Sequence, residues 1–306
     1  MDLHGAETLK EFQTRLAELI AVLKKTDRSY DEAVPVSRNL AMKASRRRLE
    51  ELAWCFGVPR AADRLYSLVK PRDKRLRARL IEFFRGLVPP DALVFDIGTN
   101  VGTYASALEE LGARVIAVDA NADSLRHIEL TYPGKRIESL HAAVGNQRGL
   151  VSFNICDSDD GTSAISSPWL ESLNERYGRT AQKWNRRVSV PMITLDDLVA
   201  HFGQPYYIKI DIEGSDGMAL DGLTAQPPLV SFEFHRFCLR DAFTSIEKVV
   251  FDAGSRFNLA LSPTEFLLPE RVDREQIKSA IEGVEDLNTW GDIFVWKPRE
   301  RQSPLG

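Results

Sequence analysis

A short glycine-containing turn carries the residue types with the clearest chemical meaning. Asp96 ends an apolar run, and Gly98 and Gly102 follow it four residues apart. A second apolar run, 114–118, ends in Asp119. A strand, a glycine turn, a short helix and a second strand ending in an acid predict the first βαβ half of a nucleotide-type α/β fold. The ligand is expected at the carboxyl ends of these strands, where the turn lets the backbone approach closely.

The spacing of this turn distinguishes between classes of cofactor. Asn100 stands where a dinucleotide-binding G-x-G-x-x-G turn has its second glycine, and a pyrophosphate needs bare backbone at that place. S-adenosylmethionine (SAM) has a carboxylate and an amine but no phosphate, so it tolerates the side chain. We expect Asp119 to accept the ribose hydroxyls and Asp96 to lie near the ammonium. The expected cofactor-binding residues are Asp96, Gly98, Asn100, Gly102, Asp119, Ala120, Ala143, Val144 and Asp211. The alternative is that the two glycines only form a tight turn that Asp96 caps.

A later run places charged residues where a buried strand is expected. Lys209, Asp211 and Glu213 alternate with three isoleucines, so one side of the predicted strand carries three charges. Because a central parallel strand is normally apolar on both faces, these charges must be paired or lie at the open strand end. We expect Lys209 to pair with an acid, and Asp211 and Glu213 to point into the cleft beside the SAM methyl group. The next strand adds Glu233 and His235 to the same region.

These side chains suit the transfer of a methyl group to a hydroxyl. The reaction is a direct displacement, which requires alignment of oxygen, methyl and sulfur and the removal of the hydroxyl proton. His235 is the first candidate for the general base, because its ordinary pKa is nearest neutrality. Asp211 or Glu213 can serve instead, or can bind substrate hydroxyls. The alternative is a buried ion-pair network of Lys209, Asp211 and Glu233, with His235 only ending its strand. A divalent metal is conceivable here, but no spacing requires one, and none is predicted.

The order of the motifs resembles that of the FkbM-type methyltransferase family. DIGTNVG, VDAN, TLDDL, YIKIDIEGSDGMALDGL and LVSFEFH follow one another between residues 93 and 235. The resemblance implies a SAM-dependent methyltransferase, with O-methylation of a small molecule, sugar or natural product. The sequence departs from the family pattern at Thr99, at Asp119 with Ala120, and at Asp216, where the family usually has Ala, Glu-Pro and Glu. The first two changes are compatible with SAM binding, and the third leaves the role of Asp216 open.

The elements around these motifs alternate between strands and helices. Predicted strands cover residues 93–97, 114–118, 137–144, 206–211, 229–234, 256–261 and 292–297. The alternation predicts an α/β fold with a Rossmann-like class I methyltransferase sheet of seven mostly parallel strands. Two further runs, 150–155 and 187–193, predict an inserted β-hairpin, and the polar segment 156–168 between them predicts a loop near the ligand. Thr194, with Asp197 three residues later, predicts a capped helix start.

The amino-terminal part is expected to be helical and to form a region of its own. Apolar residues recur at helical spacing within 9–23, 46–69 and 75–87, and a pair of prolines then marks a boundary. We expect a helical region over residues 1–90, used for substrate binding or oligomerisation, and a SAM-binding methyltransferase domain over 91–306. The amphipathic first helix is compatible with a homodimer.

Composition excludes several other classes of protein. The net charge of -4 gives no general reason to expect nucleic acid as a partner. Three cysteines without CxxC spacing favour a reducing compartment, and no apolar run approaches the roughly 20 residues of a membrane span. We therefore expect a cytoplasmic protein whose partner is a small-molecule hydroxyl acceptor. Two alternatives are a nicotinamide-dependent oxidoreductase, which the missing G-x-G-x-x-G disfavours, and a non-catalytic binding or scaffold protein, which the complete acidic set disfavours.

Overall fold

The computed structural model describes most of the chain that follows residue 70. The described residues are 71–132, 134–156, 163–165, 171, 184–249, 254–262 and 264–297. The helices predicted within 9–23 and 46–69, and most of the predicted loop 156–168, lie outside the described residues. The helix predicted within 75–87 is present as α1 (Pro71–Arg85). No helix in the described ranges combines the length and apolar character needed to cross a membrane.

An eight-stranded sheet forms the centre of the described structure. In spatial order its strands are β3 (Ile137–His141), β2 (Arg114–Asp119), β1 (Leu93–Ile97), β7 (Tyr207–Ile210), β8 (Leu229–His235), β11 (Trp290–Trp296), β9 (Arg256–Ser262) and β10 (Glu265–Phe266). The five strands from β3 to β8 are parallel to one another, whereas β11 is antiparallel to β8 and β9. The predicted mostly parallel Rossmann-like sheet is confirmed, with the short β10 as an eighth strand. Strand order reverses between β1 and β7, which opens a crevice at their carboxyl ends.

A smaller sheet lies beside the main one. It contains β4 (Ala143–Val144), β6 (Trp184–Ile193) and β5 (Gly149–Cys156), in that spatial order. The antiparallel pairing of β5 with β6 is the predicted inserted hairpin. The prediction of one strand over 137–144 is wrong, because the run is divided between the two sheets. The Ala142 amide still donates to the Asp119 carbonyl at 3.1 Å, and the next two residues pair in parallel with β6 instead.

Helices connect and cover the strands of the main sheet. They are α2 (Thr103–Glu110), α3 (Ala122–Thr131), α4 (Leu195–Phe202), α5 (Asp216–Asp221), α6 (Leu239–Lys248) and α7 (Arg274–Glu282). The predicted cap at the start of α4 is confirmed. The Asp197 amide donates to the Thr194 hydroxyl at 3.1 Å, and the Thr194 amide donates to the Asp197 carboxylate at 3.0 Å. This reciprocal pair satisfies two amides that the first turn of a helix leaves without intrahelical partners.

Helix α1 belongs to the core of the sheet, although it precedes residue 90. Leu80 and Phe84 are both fully buried in an apolar cluster that also contains Val94 of β1 and Phe294 of β11. The ring of Phe84 lies 5.5 Å from that of Tyr207, between centroids. The main sheet therefore buries side chains from a helix that was predicted to belong to the preceding region. The functional division at residue 90 stays a prediction.

Replacement of Phe84 by alanine measures what α1 contributes to this core. We expect the Phe84→Ala protein to lose about 3–5 kcal/mol of unfolding free energy, because a fully buried ring leaves a cavity in a close-packed cluster. Urea denaturation followed by circular dichroism gives the value. Leu150→Ala, at a side chain that is 77% exposed, is the control and should stay within about 0.5 kcal/mol of the wild type. Equal stability of the two variants would mean that α1 does not contribute to the core.

Candidate active site

The turn after β1 is held in a conformation that its sequence permits. Gly98, Asn100 and Gly102 have φ values of 77°, 49° and 75°, in the left-handed region that favours glycine. A Cβ atom on Gly98 would lie 1.8 Å from the carbonyl oxygen of Asp211, so no other residue fits there without displacement of the backbone. The Gly98 amide donates to the carbonyl of Val118 at 2.8 Å. The turn thus forms a hydrogen bond with the end of β2 and packs closely against the backbone that follows β7.

Asp119 anchors the turn from the end of β2. One carboxylate oxygen accepts the Asn100 amide hydrogen at 2.8 Å, and the other accepts that of Asn121 at 2.7 Å. Burial raises the pKa of Asp119 to about 6, against the opposing effect of these two hydrogen bonds. Each carboxylate oxygen can accept more than one hydrogen bond, so both can still receive a hydroxyl. This is the arrangement needed to bind a ribose diol.

The surroundings of Asp119 also fit the rest of a SAM-like ligand. The Oδ1 atom of Asn100 is buried and has no hydrogen-bond partner among the described residues, so it is available to a ligand donor. Ala143 is buried in an apolar cluster against which Ala120 and Met218 pack, and such a surface suits a flat heterocycle. A hydroxyl-accepting carboxylate, an amide oxygen and an apolar surface therefore meet at one edge of the sheet.

Asp96 stabilises the turn through a buried hydrogen bond with Thr99. It is 1% exposed, and its carboxylate accepts the Thr99 hydroxyl hydrogen at 2.7 Å. Burial raises the pKa of Asp96, and the positive charge of Lys209 opposes that shift. The contacts described for Asp96 are those of the capping alternative. Its predicted place beside the ligand ammonium stays a prediction.

Lys209 lies at the centre of the charged residues, on β7. Its side chain is 2% exposed, and Nζ donates to the Asp211 carboxylate at 2.6 Å, the pairing that the alternation of charges predicts. Nζ also lies 4.5 Å from the centroid of the Tyr104 ring, whose hydroxyl donates to Asp292 at 3.3 Å. The surrounding carboxylates, Asp211 foremost, hold the pKa of Lys209 well above its usual value despite the opposing effect of burial.

Asp211 and Glu213 lie in the loop beyond β7, not on the strand as the alternation predicts. The strand ends at Ile210, although the Asp211 amide still donates to the carbonyl of Ile97 at 2.9 Å. Glu213 and Gly214 then adopt φ values of 51° and 76°. These left-handed residues turn the chain toward α5, which breaks the two-residue period that a strand requires.

Glu233 and His235 lie at the carboxyl end of β8, with Glu233 opposite Asp292 in register. The Nε2 atom of His235 is 3.0 Å from the Oε2 atom of Glu233. Burial lowers the pKa of His235 to about 4 and raises that of Glu233 well above its usual value. One donor atom each from Glu213, Glu233 and His235 lies within 4.8 Å of the other two. The structure thus brings together Glu213, Glu233 and His235, three of the four residues that two neighbouring strands were expected to deliver.

Three residues of this region were missed by the sequence analysis as part of the site. Asp292 is 5% exposed and Asp216 is 6% exposed, and burial raises the pKa of both carboxyls, that of Asp216 to about 7. The ring of Tyr104 contacts the Lys209 ammonium, and its hydroxyl donates a hydrogen bond to Asp292. A lone acid within the apolar run 290–296 was a usable signal for Asp292. Tyr104 offers no such signal, because its partners are distant in sequence.

Comparison with known proteins identifies a family. The model of the methyltransferase FkbM domain matches residues 96–257, just over half of the chain. No functionally curated protein matches the chain significantly. A TehB-like SAM-dependent methyltransferase from Corynebacterium glutamicum has 14% identity, with 78% of this chain and 99% of that one covered and a TM-score of 0.38. The C-terminal domain of precorrin-6Y C5,15-methyltransferase from Rhodobacter capsulatus has 12% identity, with coverages of 73% and 89% and a TM-score of 0.38.

Replacement of Lys209 by methionine tests the charge balance of the site. Without this cation the buried carboxyls bind protons more strongly in the folded than in the unfolded chain, so the unfolding free energy must fall as pH rises. We expect Lys209→Met to cost about 3–5 kcal/mol at pH 8 and clearly less at pH 5, where the carboxyls take up protons. Urea denaturation at the two pH values measures both costs.

The matched control for this variant is Lys278→Met, at a surface lysine paired with Glu247. That change should cost less than about 1 kcal/mol at either pH. A loss in Lys209→Met that is the same at pH 5 and pH 8 would show that its ammonium does not compensate titrating carboxylates.

Proposed function

The chain belongs to the family of FkbM methyltransferases, and we propose that this SAM-dependent enzyme methylates a hydroxyl oxygen of a small molecule, sugar or natural product. The observation that carries the proposal is the group of Glu213, Glu233 and His235, together with Asp211, whose charge acts on His235 and whose backbone contacts the turn that follows β1. Carboxylates and an imidazole accept hydrogen bonds from hydroxyl groups, so this group can hold and deprotonate an alcohol. The alcohol as acceptor also agrees with the O-methylation that the family resemblance implies.

The proposed cofactor site is built around Asp119. Its two carboxylate oxygens accept the ribose hydroxyls, while Asn100 offers its buried Oδ1 atom. Ala120 is proposed to lie along the adenine together with the start of the small sheet, Ala143 and Val144. Gly98 and Gly102 allow the backbone of the turn to approach the ligand, and Asp96 holds the turn in place. These assignments explain why an acid, an amide and small apolar residues meet at this edge.

The residues around the acceptor have three tasks in the displacement. A new carbon–oxygen bond forms as the carbon–sulfur bond breaks, and the hydroxyl proton must leave the acceptor oxygen. SAM supplies the electrophilic methyl group. His235, Asp211 and Glu213 are the candidate proton acceptors, and those that do not take the proton can orient the acceptor through hydrogen bonds. Partial burial of Glu233 and His235 lowers the local dielectric, which strengthens their interactions with the acceptor.

The other sequence-based alternatives gain no support from the described site. A nicotinamide cofactor requires bare backbone where Asn100 stands. A non-catalytic scaffold would not need acidic side chains at the ends of β7 and β8. A homodimer, a cytoplasmic location and a substrate-binding role for residues 1–90 stay predictions.

Replacement of Asp119 by asparagine tests the cofactor site. An asparagine side chain has one acceptor oxygen instead of two, so we expect the affinity for S-adenosylhomocysteine to fall by roughly 10- to 100-fold. In the wild type, affinity should also weaken as pH falls through about 6, because the Asp119 carboxylate then takes up a proton. The amide of the variant cannot take up that proton, so this part of the pH dependence should disappear. Isothermal titration calorimetry between pH 5.5 and 8 measures both effects.

A suitable control is Asp123→Asn, since Asp123 is an exposed acid on α3 that pairs with Arg186. That variant should bind with wild-type affinity at every pH. Wild-type affinity in Asp119→Asn would remove Asp119 from the cofactor site.

A panel of acceptors tests the proposed chemistry. Methyl-labelled SAM is incubated with matched alcohols, sugars, phenols, amines, thiols and carboxylic acids, and the products are identified by mass spectrometry. We expect label only on hydroxyl oxygens, as ethers. At low SAM concentration, Asp119→Asn should turn over more slowly through a higher KM for SAM, with kcat nearly retained. Label found exclusively on nitrogen, sulfur or carboxylate oxygen would contradict O-methylation while leaving the enzyme a methyltransferase.

A further inference from the structure

Three potential metal ligands converge at the carboxyl end of β8. They are two carboxylates, Glu213 and Glu233, and one imidazole, His235, with one donor atom of each lying within 4.8 Å of the others. Glu213 comes from the loop after β7, whereas Glu233 and His235 lie two residues apart on one side of β8. From this arrangement we propose that the three residues bind a divalent cation of the Mn²⁺ type.

The separation of two donor atoms supports the proposed coordination. The Oε2 atom of Glu233 and the Nε2 atom of His235 are 3.0 Å apart. Adjacent ligands of an octahedral ion, with bonds of about 2.1 Å at right angles, are also about 3.0 Å apart. Adjacent ligands of a tetrahedral ion with similar bonds would be about 3.4 Å apart. The pair therefore matches one edge of an octahedron.

The state of Glu233 is a second and independent observation. Its Oε2 atom is sealed from solvent and accepts no hydrogen bond from the described residues. A buried carboxylate oxygen without a partner is costly, and the Nε2 atom of His235, 3.0 Å away, makes no hydrogen bond to it. In the tautomer that carries its proton on Nδ1, the Nε2 lone pair and the carboxylate oxygen repel each other at this distance, and a metal ion between them removes the repulsion. A bound cation gives the Glu233 oxygen the partner that it lacks.

The charge of the surroundings favours a cation. The carboxylates of Asp211, Asp216 and Asp292 all act on Glu233, and Lys209 is the nearby positive charge that opposes them. Lys209 is already paired with Asp211. The region therefore has more carboxyl groups than basic groups, and a divalent ion that displaces their protons gains more from each carboxylate at low dielectric than it would in water.

The donor set indicates which ions to expect. Two carboxylates and one imidazole combine oxygen ligands, which Mg²⁺ and Mn²⁺ accept, with a nitrogen ligand, which Mn²⁺ accepts better than Mg²⁺. Three protein ligands leave positions open on an octahedral ion. If the proposed function holds, one of these positions can receive the acceptor hydroxyl and favour loss of its proton. Asp211 is then the remaining candidate proton acceptor, because His235 and Glu213 are ligands of the ion. The existence of the site does not depend on that role.

Manganese binding to the full chain tests the proposal directly. The protein is treated with a chelator, dialysed and titrated with Mn²⁺, and free Mn²⁺ is followed by electron paramagnetic resonance. We expect one saturable site per chain, with affinity at least 10-fold weaker in Glu213→Gln and in Glu233→Gln. Glu129→Gln, at an exposed glutamate on α3, should bind like the wild type. Asp119→Asn should also keep its affinity for Mn²⁺, because Asp119 belongs to the proposed cofactor site.

A spectroscopic measurement on the wild type covers the case in which a variant fails to fold. Electron spin echo modulation should show a directly bound imidazole nitrogen on the manganese, and His235→Asn should remove that signal. The absence of saturable binding up to 1 mM (roughly the weak end of known protein sites) would overturn the proposal and indicate that the pair shares a proton. Saturable binding without a nitrogen signal would overturn it too.

The outcomes for the metal site and for the proposed function are separable. Manganese bound by the three residues, with label transferred only to amines, would leave the metal site standing and end the O-methylation proposal. Label transferred to hydroxyls by chelator-treated protein that binds no manganese would do the reverse.

Discussion

The charged centre of this structure depends on one buried cation. Lys209 is the only buried lysine or arginine in the described part of the chain, and it lies in β7, an interior strand of the main sheet. An unpaired ammonium at that place would be strongly destabilising. Its contact with Asp211 and the nearby Asp96 and Asp292 make it tolerable, and the same cation makes their burial tolerable in turn. The acids and the lysine are therefore a single structural unit.

This unit contains more acids than bases, and the additional acids lie at the end of the sheet that faces the crevice. Among the described residues Asp211 is the one acid that forms an ion pair with Lys209, while Asp216 and Glu233 lie further along the same end of the sheet with raised pKa values. Burying acids without equal numbers of bases lowers the stability of the fold. Proteins retain such arrangements where the charge serves a ligand, because perturbed titrating groups concentrate at functional sites.

Local patterns were sufficient to predict the parts of the site that depend on local geometry. The glycine turn, the capping box at Thr194 and the pairing of Lys209 with Asp211 involve residues only a few positions apart, and the structure contains all three. The run 137–144 was predicted as one strand because periodicity does not show which sheet a residue joins. That choice is made by β6, more than forty residues later in the chain.

Long-range contacts account for what the sequence analysis missed. Tyr104 donates to Asp292 across 188 positions of sequence, a distance that no local pattern can bridge. The register that sets Asp292 opposite Glu233 depends on β11 entering the sheet antiparallel to β8. Glu213 was placed on a strand, since alternation alone cannot show that its backbone turns to a φ of 51°. That turn is what lets Glu213 approach Glu233 and His235.

The excess of negative charge also explains the class of cofactor in physical terms. A pyrophosphate placed at the carboxyl ends of β1 and β2 would lie among Asp96, Asp119 and Asp211, and each carboxylate would repel it at short range. A sulfonium nucleoside with an ammonium group is attracted by the same side chains. Asn100 excludes the pyrophosphate sterically where these acids exclude it electrostatically. Asn100 in the turn and the carboxylates at the neighbouring strand ends therefore both favour a cationic ligand over an anionic one.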